Sequence, residues 1–377
     1  MTDKLRIAAL KERAAGEARV CVTPETVKKF TNLGAIVAVE SGAGHAASIA
    51  DADYAAVGAI MGDAASVVAG ADIVLGVQGP DVGLLSGAKP GVWVAAGLDP
   101  FGQRGRVDAY AVAGIEALAM EFMPRITRAQ SMDILSSQSN LAGYKAVIDA
   151  AGVYGRAFPM MMTAAGTISA AKAFIMGVGV AGLQAIATAR RLGAQVSATD
   201  VRSATKEQIQ SLGAKPIFVE NVAGIEGEGA GGYATEMSPE YQAAQAELVS
   251  SHIAKQDIVI TTALIPGRPA PVLVTAEQVA SMKPGSVLID LAVEQGGNVA
   301  GAKPDQTVVT ENGVKIIGFT NLPSAVAADA SALYSRNLVN LAALLIKDGT
   351  LTPDWDDEIL KAAVVAKDGA VVHPALQ

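Results

Sequence analysis

Gly177-Val178-Gly179-Val180-Ala181-Gly182 follows the apolar run 173–176 and precedes a helical pattern over 183–192. A second apolar run begins after Gly193 and ends at Asp200. The glycines have the spacing G-x-G-x-x-G, and the motif lies between a predicted strand and a predicted helix. This is the context that a dinucleotide-binding βαβ unit requires, and a bare match to the spacing would lack it.

Each glycine of this motif has a separate physical role. Gly177 allows the tight turn, Gly179 lets the backbone approach a pyrophosphate, and Gly182 lets the helix pack closely on the strand. The N-terminus of the helix adds free N–H groups and the positive end of its dipole. The alternative is an α/β turn that binds no nucleotide.

Asp200 lies 18 positions after Gly182, at the end of the second predicted strand. A carboxylate at this place can accept hydrogen bonds from an adenosine ribose and repel a 2′-phosphate. The sequence therefore predicts binding of NAD(H) rather than NADP(H). Arg202 lies two positions further on, and its positive charge would weaken this preference.

Composition limits the class of protein. The chain has 377 residues, of which 51% are hydrophobic, 18% charged and 4% aromatic, as is typical of an α/β protein of two domains. The net charge of −8 argues against binding to nucleic acid or to an anionic membrane surface. Cys21 is the only cysteine, so we expect no disulfide framework. No cluster of cysteines and histidines in the sequence suggests a metal site.

Charged residues near the N-terminus, such as Lys4 and Arg6, interrupt any secretory signal, so we expect a cytoplasmic protein. The stretch Ala164 to Ala189 is long and apolar enough to suggest a membrane span. However, it contains the glycine motif and divides into strand, turn and helix. A buried parallel strand followed by a packed helix is also almost continuously apolar, so we expect no direct membrane span.

Alternating strand and helix patterns predict two Rossmann-like α/β domains with parallel sheets and a cleft between them. The first domain is predicted to comprise residues 1–135 with 325–377, and to hold no dinucleotide of its own. The second comprises residues 136–324 and carries the glycine motif. The predicted strands are Leu5–Leu10, Ile36–Glu40, Ala71–Val77, Gly91–Leu98, Ala109–Leu118, Lys215–Glu220, Asp257–Ala263, Ser286–Ala292 and Lys315–Phe319. Long helices are predicted over Ser139–Ala157 and Ala325–Ile346.

The segment Asn221 to Ser238 carries five glycines and one aromatic residue, Tyr233. Glycine here favours low backbone order, and a long loop in a compact domain is usually functional or disordered. We expect a mobile lid that carries Tyr233. A tolerated surface insertion is the alternative.

The segment 123–144, MPRITRAQSMDILSSQSNLAGY, is highly distinctive. It resembles the NAD(H)-binding domain I of proton-translocating nicotinamide nucleotide transhydrogenase, a family that shares its fold with alanine dehydrogenase. The segments 158–167, 261–267 and 290–294 resemble the same family, and Gly231-Gly232-Tyr233-Ala234 is similar to its mobile loop. The resemblance extends from about Arg6 to Pro374.

This resemblance implies hydride transfer between NADH and NADP+. It also implies a partner subunit that binds NADP(H), a membrane subunit that conducts protons, and a homodimer of this chain. The protein would then lie peripherally on the inner membrane through its partners. The sequence ends at Gln377 without the membrane helices of many members, which resembles a separate subunit. A truncated chain would look identical.

The resemblance also implies the residues of the site. Arg125, Gln130, Asp133 and Ser136 would contact the nicotinamide end of NAD(H), with Asp133 fixing Arg125 through a charge-assisted bond. The alternative is that these residues cap the following helix and form surface ion pairs. The other predicted cofactor contacts are Gly177, Val178, Gly179, Val180, Ala181, Gly182, Leu183, Asp200, Val201, Arg202, Tyr233, Thr262, Ala263 and Leu264.

Two other functions remain possible from the sequence, an alanine-dehydrogenase-like oxidoreductase and a catalytically silent NAD(H)-binding protein. Alanine dehydrogenases carry a lysine and a histidine where this chain has Gly76 and Gly97. Glycine supplies neither proton transfer nor charge, and Arg19 alone does not make an amino-acid site. Transhydrogenase relatives often keep both residues, so the two glycines depart from that pattern as well.

Overall fold

The computed structural model describes residues 4–219, 238–265 and 267–377. In these ranges the strands are β1 (Arg6–Ala9), β2 (Ile36–Glu40), β3 (Ile60–Gly62), β4 (Ile73–Gln78), β5 (Trp93–Gly97), β6 (Glu116–Ala119), β7 (Met161–Thr163), β8 (Gly166–Ile168), β9 (Lys172–Met176), β10 (Gln195–Thr199), β11 (Lys215–Pro216), β12 (Ile258–Thr261), β13 (Val287–Asp290), β14 (Gln306–Val309), β15 (Lys315–Gly318), β16 (Ile346–Lys347), β17 (Thr350–Leu351), β18 (Val364–Lys367) and β19 (Ala370–Val371).

The α-helices of the same ranges are α1 (Pro24–Asn32), α2 (Asp51–Ala56), α3 (Ala64–Val68), α4 (Arg104–Val112), α5 (Ile134–Val153), α6 (Val180–Arg191), α7 (Thr205–Ser211), α8 (Pro239–Ile253), α9 (Ala276–Ser281), α10 (Ala327–Leu345) and α11 (Glu358–Ala363). Short 3₁₀ helices cover His45–Ala47, Val82–Leu85, Met120–Phe122, Thr127–Met132, Val293–Gln295, Leu322–Val326 and Pro374–Leu376.

The chain divides into two units. The first comprises Met1–Gln138 and Pro323–Gln377, and the second comprises Ser139–Leu322. The first unit contains an eight-stranded sheet in the order β19-β18-β6-β5-β4-β1-β2-β3. The six strands β1 to β6 pair in parallel, whereas β18 and β19 pair antiparallel at one edge. The order of β1 to β6 is that of a doubly wound α/β fold, which reverses between β1 and β4.

Both faces of this first sheet are covered. On β4, Leu75 and Val77 belong to one apolar core and Val74 to another, because successive side chains of a strand point to opposite faces. Tyr334 and Leu338 of α10 belong to the same core as Leu75, so α10 packs within the first unit.

The second unit contains a seven-stranded sheet in the order β11-β10-β9-β12-β13-β15-β14. Its strands are parallel except for β14, which pairs antiparallel with β15. Strands β9 to β13 repeat the doubly wound order, with the reversal between β9 and β12. The predicted α/β class with two Rossmann-like parallel sheets is confirmed.

The strand predicted over Ala109–Leu118 is partly wrong. Residues 104–112 form α4, and only Glu116–Ala119 forms a strand. Val107, Tyr110 and Ala111 are buried at helical spacing, and a short apolar run does not by itself distinguish a helix from a strand. The helix predicted over Ser139–Ala157 instead begins at Ile134 and ends at Val153.

The apolar stretch 164–189 divides into strand, turn and helix, as the sequence predicts. Within the described ranges, no helix combines the length and apolarity needed to cross a bilayer.

Candidate nucleotide-binding site

The glycine motif forms the turn between β9 and α6 in the second unit, so its predicted strand–turn–helix context is confirmed. Gly177 has a φ of 98°, and a Cβ there would lie 2.6 Å from Oγ1 of Thr262. A Cβ at Gly182 would collide with the carbonyl oxygen of Gly177. Backbone conformation and close packing therefore both require glycine at position 177, and close packing alone requires it at position 182.

Neither the backbone conformation nor the packing at position 179 requires a glycine. Gly179 is exposed, its φ is −78°, and a Cβ built there would meet no atom within 4 Å. It is also the N-cap of α6, where no side chain caps the helix. The first N–H groups of a helix have no partner within the helix. This open backbone fits the pyrophosphate of a dinucleotide.

Asp200 follows β10 directly, and its side chain is buried beside the glycine turn. One carboxylate oxygen accepts a hydrogen bond from the backbone N–H of Val178 at 2.7 Å, and the other accepts from the backbone N–H of Arg202 at 2.9 Å. Burial raises the pKa of this carboxyl, but the bonds from Arg202 and Val178 outweigh burial and hold the pKa below its ordinary value. Asp200 is therefore ionised at neutral pH.

Arg202 forms an ion pair with Asp200, with 2.9 Å between Nε and the carboxylate. The sequence predicts that the positive charge of Arg202 weakens the preference for NAD(H). In the structure its charge is balanced by Asp200. Asp200 accepts four hydrogen bonds, one from the backbone N–H of Val178 and three from the backbone and guanidinium of Arg202. These fill the roughly four lone-pair positions of a carboxylate, so a ribose hydroxyl would have to replace a bond from Arg202.

The end of β12 lies against the same turn. The Thr262 hydroxyl donates to the carbonyl oxygen of Gly177 at 3.1 Å, and the Thr262 N–H donates to the carbonyl oxygen of Met176 at 2.9 Å. Leu264 is 39% exposed two residues further on. The predicted contacts Thr262, Ala263 and Leu264 thus lie at the carboxyl edge of the sheet, at the reversal of strand order where ligands of α/β sheets bind.

Asn298 holds this edge in place, and the sequence patterns did not point to it. Its amide accepts from the backbone N–H of Ala263 at 3.0 Å and donates to the Ala263 carbonyl at 2.9 Å. Asp290, at the end of β13, is buried and accepts the backbone N–H groups of Asn298 and Val299. The signal available in the sequence was Asp290, a carboxylate directly after the apolar run 287–289.

The predicted nicotinamide loop belongs to the first unit. Asp133 accepts hydrogen bonds from the backbone N–H of Ser136 at 2.9 Å and from the Ser136 hydroxyl. Helix α5 begins at Ile134, so these bonds satisfy its first turn. This helix-capping contact is the alternative that the sequence left open for Asp133 and Ser136.

The same loop is anchored through its backbone and its apolar side chains. Ala129 and Met132 are buried in the core of the first unit, and the carbonyl oxygen of Ser131 accepts from Asn337 at 2.7 Å. Arg125 and Gln130 are exposed on this anchored loop. Their positions are thus fixed while their side chains face solvent. The predicted contact Tyr233 and most of its lid lie outside the described residues.

Gly76 lies two residues before the end of β4, and Gly97 is the last residue of β5. The buried hydroxyl of Tyr334 lies 3.1 Å from the carbonyl oxygen of Gly76 and accepts from the N–H of Gly97 at 3.0 Å. A Cβ at Gly76 would collide with the carbonyl oxygen of Gln78, and one at Gly97 would lie 2.9 Å from that of Val77. Neither position has room for a side chain unless the backbone moves.

Arg19 is engaged within the first unit. Its guanidinium lies 2.7 Å from the Glu17 carboxylate and donates to Gln138 at 3.0 Å. Burial raises the pKa of Glu17, but the bonds and charge of Arg19 outweigh burial and lower it to about 2. Arg19 is thus neutralised by a permanently ionised partner.

Comparison with known proteins places these features in a family. Residues 8–142 match the family described as "Alanine dehydrogenase/PNT, N-terminal domain", and residues 146–374 match "Alanine dehydrogenase/PNT, C-terminal domain". The chain is 55% identical to the first of the polypeptides that make up the NAD(P) transhydrogenase alpha subunit of Rhodospirillum rubrum, covering 99% of both chains. It is 47% identical to the protein of the same description from Rickettsia prowazekii, covering 98% of this chain and 96% of that one. The crystal structure of transhydrogenase from Sinorhizobium meliloti shares a TM-score of 0.89 and 53% identity, covering 97% of this chain and all of that one.

Proposed function

Because the chain belongs to the alanine dehydrogenase/PNT family, we propose that it is the NAD(H)-binding subunit of a proton-translocating transhydrogenase. The observation that carries this proposal is the open backbone of Gly179 at the uncapped N-terminus of α6, beside the ionised Asp200. The similarity to a transhydrogenase subunit over the full length of both chains supports it.

The proposed reaction is direct transfer of a hydride from NADH to NADP+ held on a partner subunit. NADH supplies the hydride, so the protein needs no acid or base at the reacting carbons. The protein must instead position the nicotinamide and exclude water. Gly179 and the first turn of α6 would hold the pyrophosphate, and Asp200 would hold the adenosine ribose.

The exposed side chains of the anchored loop, Arg125 and Gln130, are proposed to orient the nicotinamide end. The guanidinium of Arg125 can donate to the carboxamide oxygen, and Ser136 can reach the same group. Gln130 can hydrogen-bond both the nicotinamide ribose and the partner nucleotide. We also propose that two copies of this chain act as a homodimer and bind the membrane through the partner subunits.

Reconstitution tests this function. The purified chain should reduce NADP+ with NADH only after an NADP(H)-binding transhydrogenase domain is added, and stopped-flow absorbance would measure the rate. Adding the membrane subunit in vesicles should make the rate respond to a proton gradient. Rapid NADP+ reduction by the chain alone, or none after mixing, would refute the proposal.

Replacing Gly179 by alanine should separate binding from folding. The new methyl group meets no protein atom, so the melting temperature should change little, whereas it would occupy the space proposed for the pyrophosphate. Loss of a hydrogen bond to a charged group predicts a decrease of about 10- to 100-fold in NADH affinity, measurable by fluorescence titration.

Gly177→Ala is the matched control for this prediction. Its methyl group would face Thr262 Oγ1 at 2.6 Å with φ at 98°, so this variant should also lose thermal stability. If Gly179→Ala binds NADH as well as the parent protein, the pyrophosphate does not approach at Gly179.

Nucleotide preference tests Asp200. The parent protein should bind NADH well and NADPH poorly, since the ion pair with Asp200 occupies the charge of Arg202 that could otherwise hold a 2′-phosphate. Asp200→Ala removes the proposed acceptor for the ribose, so the binding free energy of NADH should become less favourable by about 1–3 kcal/mol. The variant also removes the Asp200 partner of Arg202, so the difference between the affinities for NADH and NADPH should shrink. Asp200→Asn keeps an acceptor for the Val178 N–H and serves as the control. Equal affinities of the parent protein for NADH and NADPH would contradict this role.

A further inference from the structure

The side chain of Asn298 is fully buried beside the end of β12. Its oxygen accepts a hydrogen bond from the N–H of Ala263 at 3.0 Å, and its nitrogen donates to the carbonyl oxygen of Ala263 at 2.9 Å. The same nitrogen also donates to the carbonyl oxygen of Pro271 at 2.8 Å. Both donors of the amide are thus used, and one side chain holds both polar groups of the Ala263 backbone.

The backbone that carries this amide is itself fixed by Asp290, the last residue of β13. One buried carboxylate oxygen of Asp290 accepts from the N–H groups of Asn298 at 2.8 Å and Val299 at 2.9 Å, and the other accepts from Ala292 at 2.8 Å. The chain approaches the carboxylate through Gly297, which has a φ of 82° and where a Cβ would lie 2.9 Å from Asp290. The turn therefore favours glycine, and it places Asn298 at a defined distance from β12.

The order of the strands indicates which half of a dinucleotide lies beside this clamp. Strands β10, β9 and β12 are parallel neighbours in that order, and they end in register with one another. Asp200 follows β10, the glycine motif follows β9, and Thr262 follows β12. With the adenosine ribose proposed at Asp200 and the pyrophosphate at the glycine motif, an extended dinucleotide places its nicotinamide half at the end of β12.

Ala263 and Leu264 are the residues that this half of the cofactor would meet. Thr262 is bonded to the carbonyl oxygen of Gly177, and Leu264 is exposed at the edge of the sheet. Because Asn298 occupies both polar groups of the Ala263 backbone, that backbone is unable to bind a ligand itself. Asn298 therefore sets where the surface of Ala263 and Leu264 lies, without contributing a polar contact to the ligand.

We propose that Asn298 is a positioning residue for hydride transfer, which fixes Ala263 and Leu264 against the nicotinamide half of NADH. This inference rests on the proposed function. The adenosine ribose and the pyrophosphate are assigned to other strand ends, so loss of Asn298 should act on alignment more than on affinity. A displacement of roughly 1 Å can cost about 100-fold in a reaction that depends on alignment.

Asn312 provides the matched control, because it makes the same kind of contact elsewhere in the second unit. Its amide nitrogen donates to the carbonyl oxygens of Ala280 at 3.1 Å and Met282 at 3.2 Å. Asn312 directly precedes the start of β15, so it lies at the amino edge of the parallel sheet, opposite the glycine motif. Asn312→Ala should therefore lower the melting temperature without moving the nicotinamide.

Three measurements on the full chain separate alignment from affinity. Calorimetry with ADP-ribose, which lacks the nicotinamide, gives the affinity of the adenosine and pyrophosphate half. The fluorescence of bound NADH comes from the nicotinamide and reports its surroundings. Single-turnover kinetics at saturating NADH, with the NADP(H)-binding partner domain, give the rate of hydride transfer. We expect Asn298→Ala to lower the rate by about 10- to 100-fold and to change the NADH fluorescence, with little change in ADP-ribose affinity. Asn312→Ala should leave all three quantities unchanged.

Asn298→Asp adds a readout that a merely structural role would not move. The ionised carboxylate accepts but does not donate, so the bond to the Ala263 carbonyl is lost, and the new charge lies beside Asp290. The protonated carboxyl has one O–H donor and one carbonyl acceptor, which can restore both bonds to Ala263. The rate of this variant, divided by that of the parent protein at the same pH, should therefore rise as the pH falls. Asn298→Ala should show no such rise.

The proposal is overturned if the Asn298 variants transfer hydride at the parent rate, if ADP-ribose affinity falls by the same factor as the rate, or if Asn312→Ala causes an equal loss. Should Asn298→Ala fail to fold, Asn298→Asp decides by the same measurements. If the parent protein itself transfers no hydride, the proposed function fails. The NADH fluorescence and the ADP-ribose affinity of the variants still decide the role of Asn298 in that case, so the two failures are distinguishable.

Discussion

L-Alanine oxidation by the purified protein with NAD+ should be at least about 100-fold slower than that by an alanine dehydrogenase assayed beside it. General acid–base help alone is typically worth about 10²–10⁴-fold, and lost orientation of the substrate adds to this deficit. The family resemblance implies that Gly76 and Gly97 stand where that enzyme has a lysine and a histidine. Neither glycine can move a proton or hold a carboxylate.

The structure extends this prediction to the restored variant. Side chains added at Gly76 and Gly97 would meet the backbone carbonyls of Gln78 and Val77, and the Tyr334 hydroxyl already bridges the two strand ends. We therefore expect Gly76→Lys/Gly97→His to remain inactive with alanine and to lose stability, because the backbone must move.

The absorbance of NADH measures the alanine oxidation rate of the parent protein and of the double variant. Reductive amination of pyruvate with ammonium provides the reverse assay. Robust alanine turnover by the parent protein would refute the transhydrogenase proposal and favour the alanine-dehydrogenase alternative. Activity of the double variant alone would show that the strand ends open more easily than their packing indicates.

Gln130→Asn should slow hydride transfer to the partner's nucleotide by about 100-fold, whereas NADH affinity should change much less. Shortening this side chain moves its amide by roughly the 1 Å that can cost such a factor in a reaction that depends on alignment. Gln130 is exposed on a loop anchored by Ala129, Met132 and the backbone of Ser131, so the substitution should leave the loop in place.

Single-turnover kinetics with the NADP(H)-binding partner would give the rate, and equilibrium titration would give the affinity. Thr127→Ser, at another exposed position of the loop, is the control and should change neither quantity. If rate and affinity fall by the same factor, Gln130 is a binding residue and its proposed role in alignment is wrong.

The glycine motif could be interpreted from the sequence because its information is local. The turn, the approach of a ligand and the close packing of α6 on β9 depend on residues within about six positions of one another. Asp200 could be placed for a related reason, since a single βαβ unit brings the end of β10 beside the turn. The same local reasoning failed over 109–118. The apolar run there fits the period of a helix and that of a strand, and only packing decides that residues 104–112 form a helix.

The sequence by itself thus determined the fold class and the strand–turn–helix context of the glycine motif, and it predicts the cofactor. The tertiary structure alone decided that Asp200 neutralises Arg202, that Asn298 fixes the end of β12, and that the strand ends at Gly76 and Gly97 are closed. Tyr334 and Gly97 are 237 positions apart in the chain, and Asn298 and Ala263 are 35 apart. No spacing or periodicity encodes such pairs, because the fold of the whole unit brings them together.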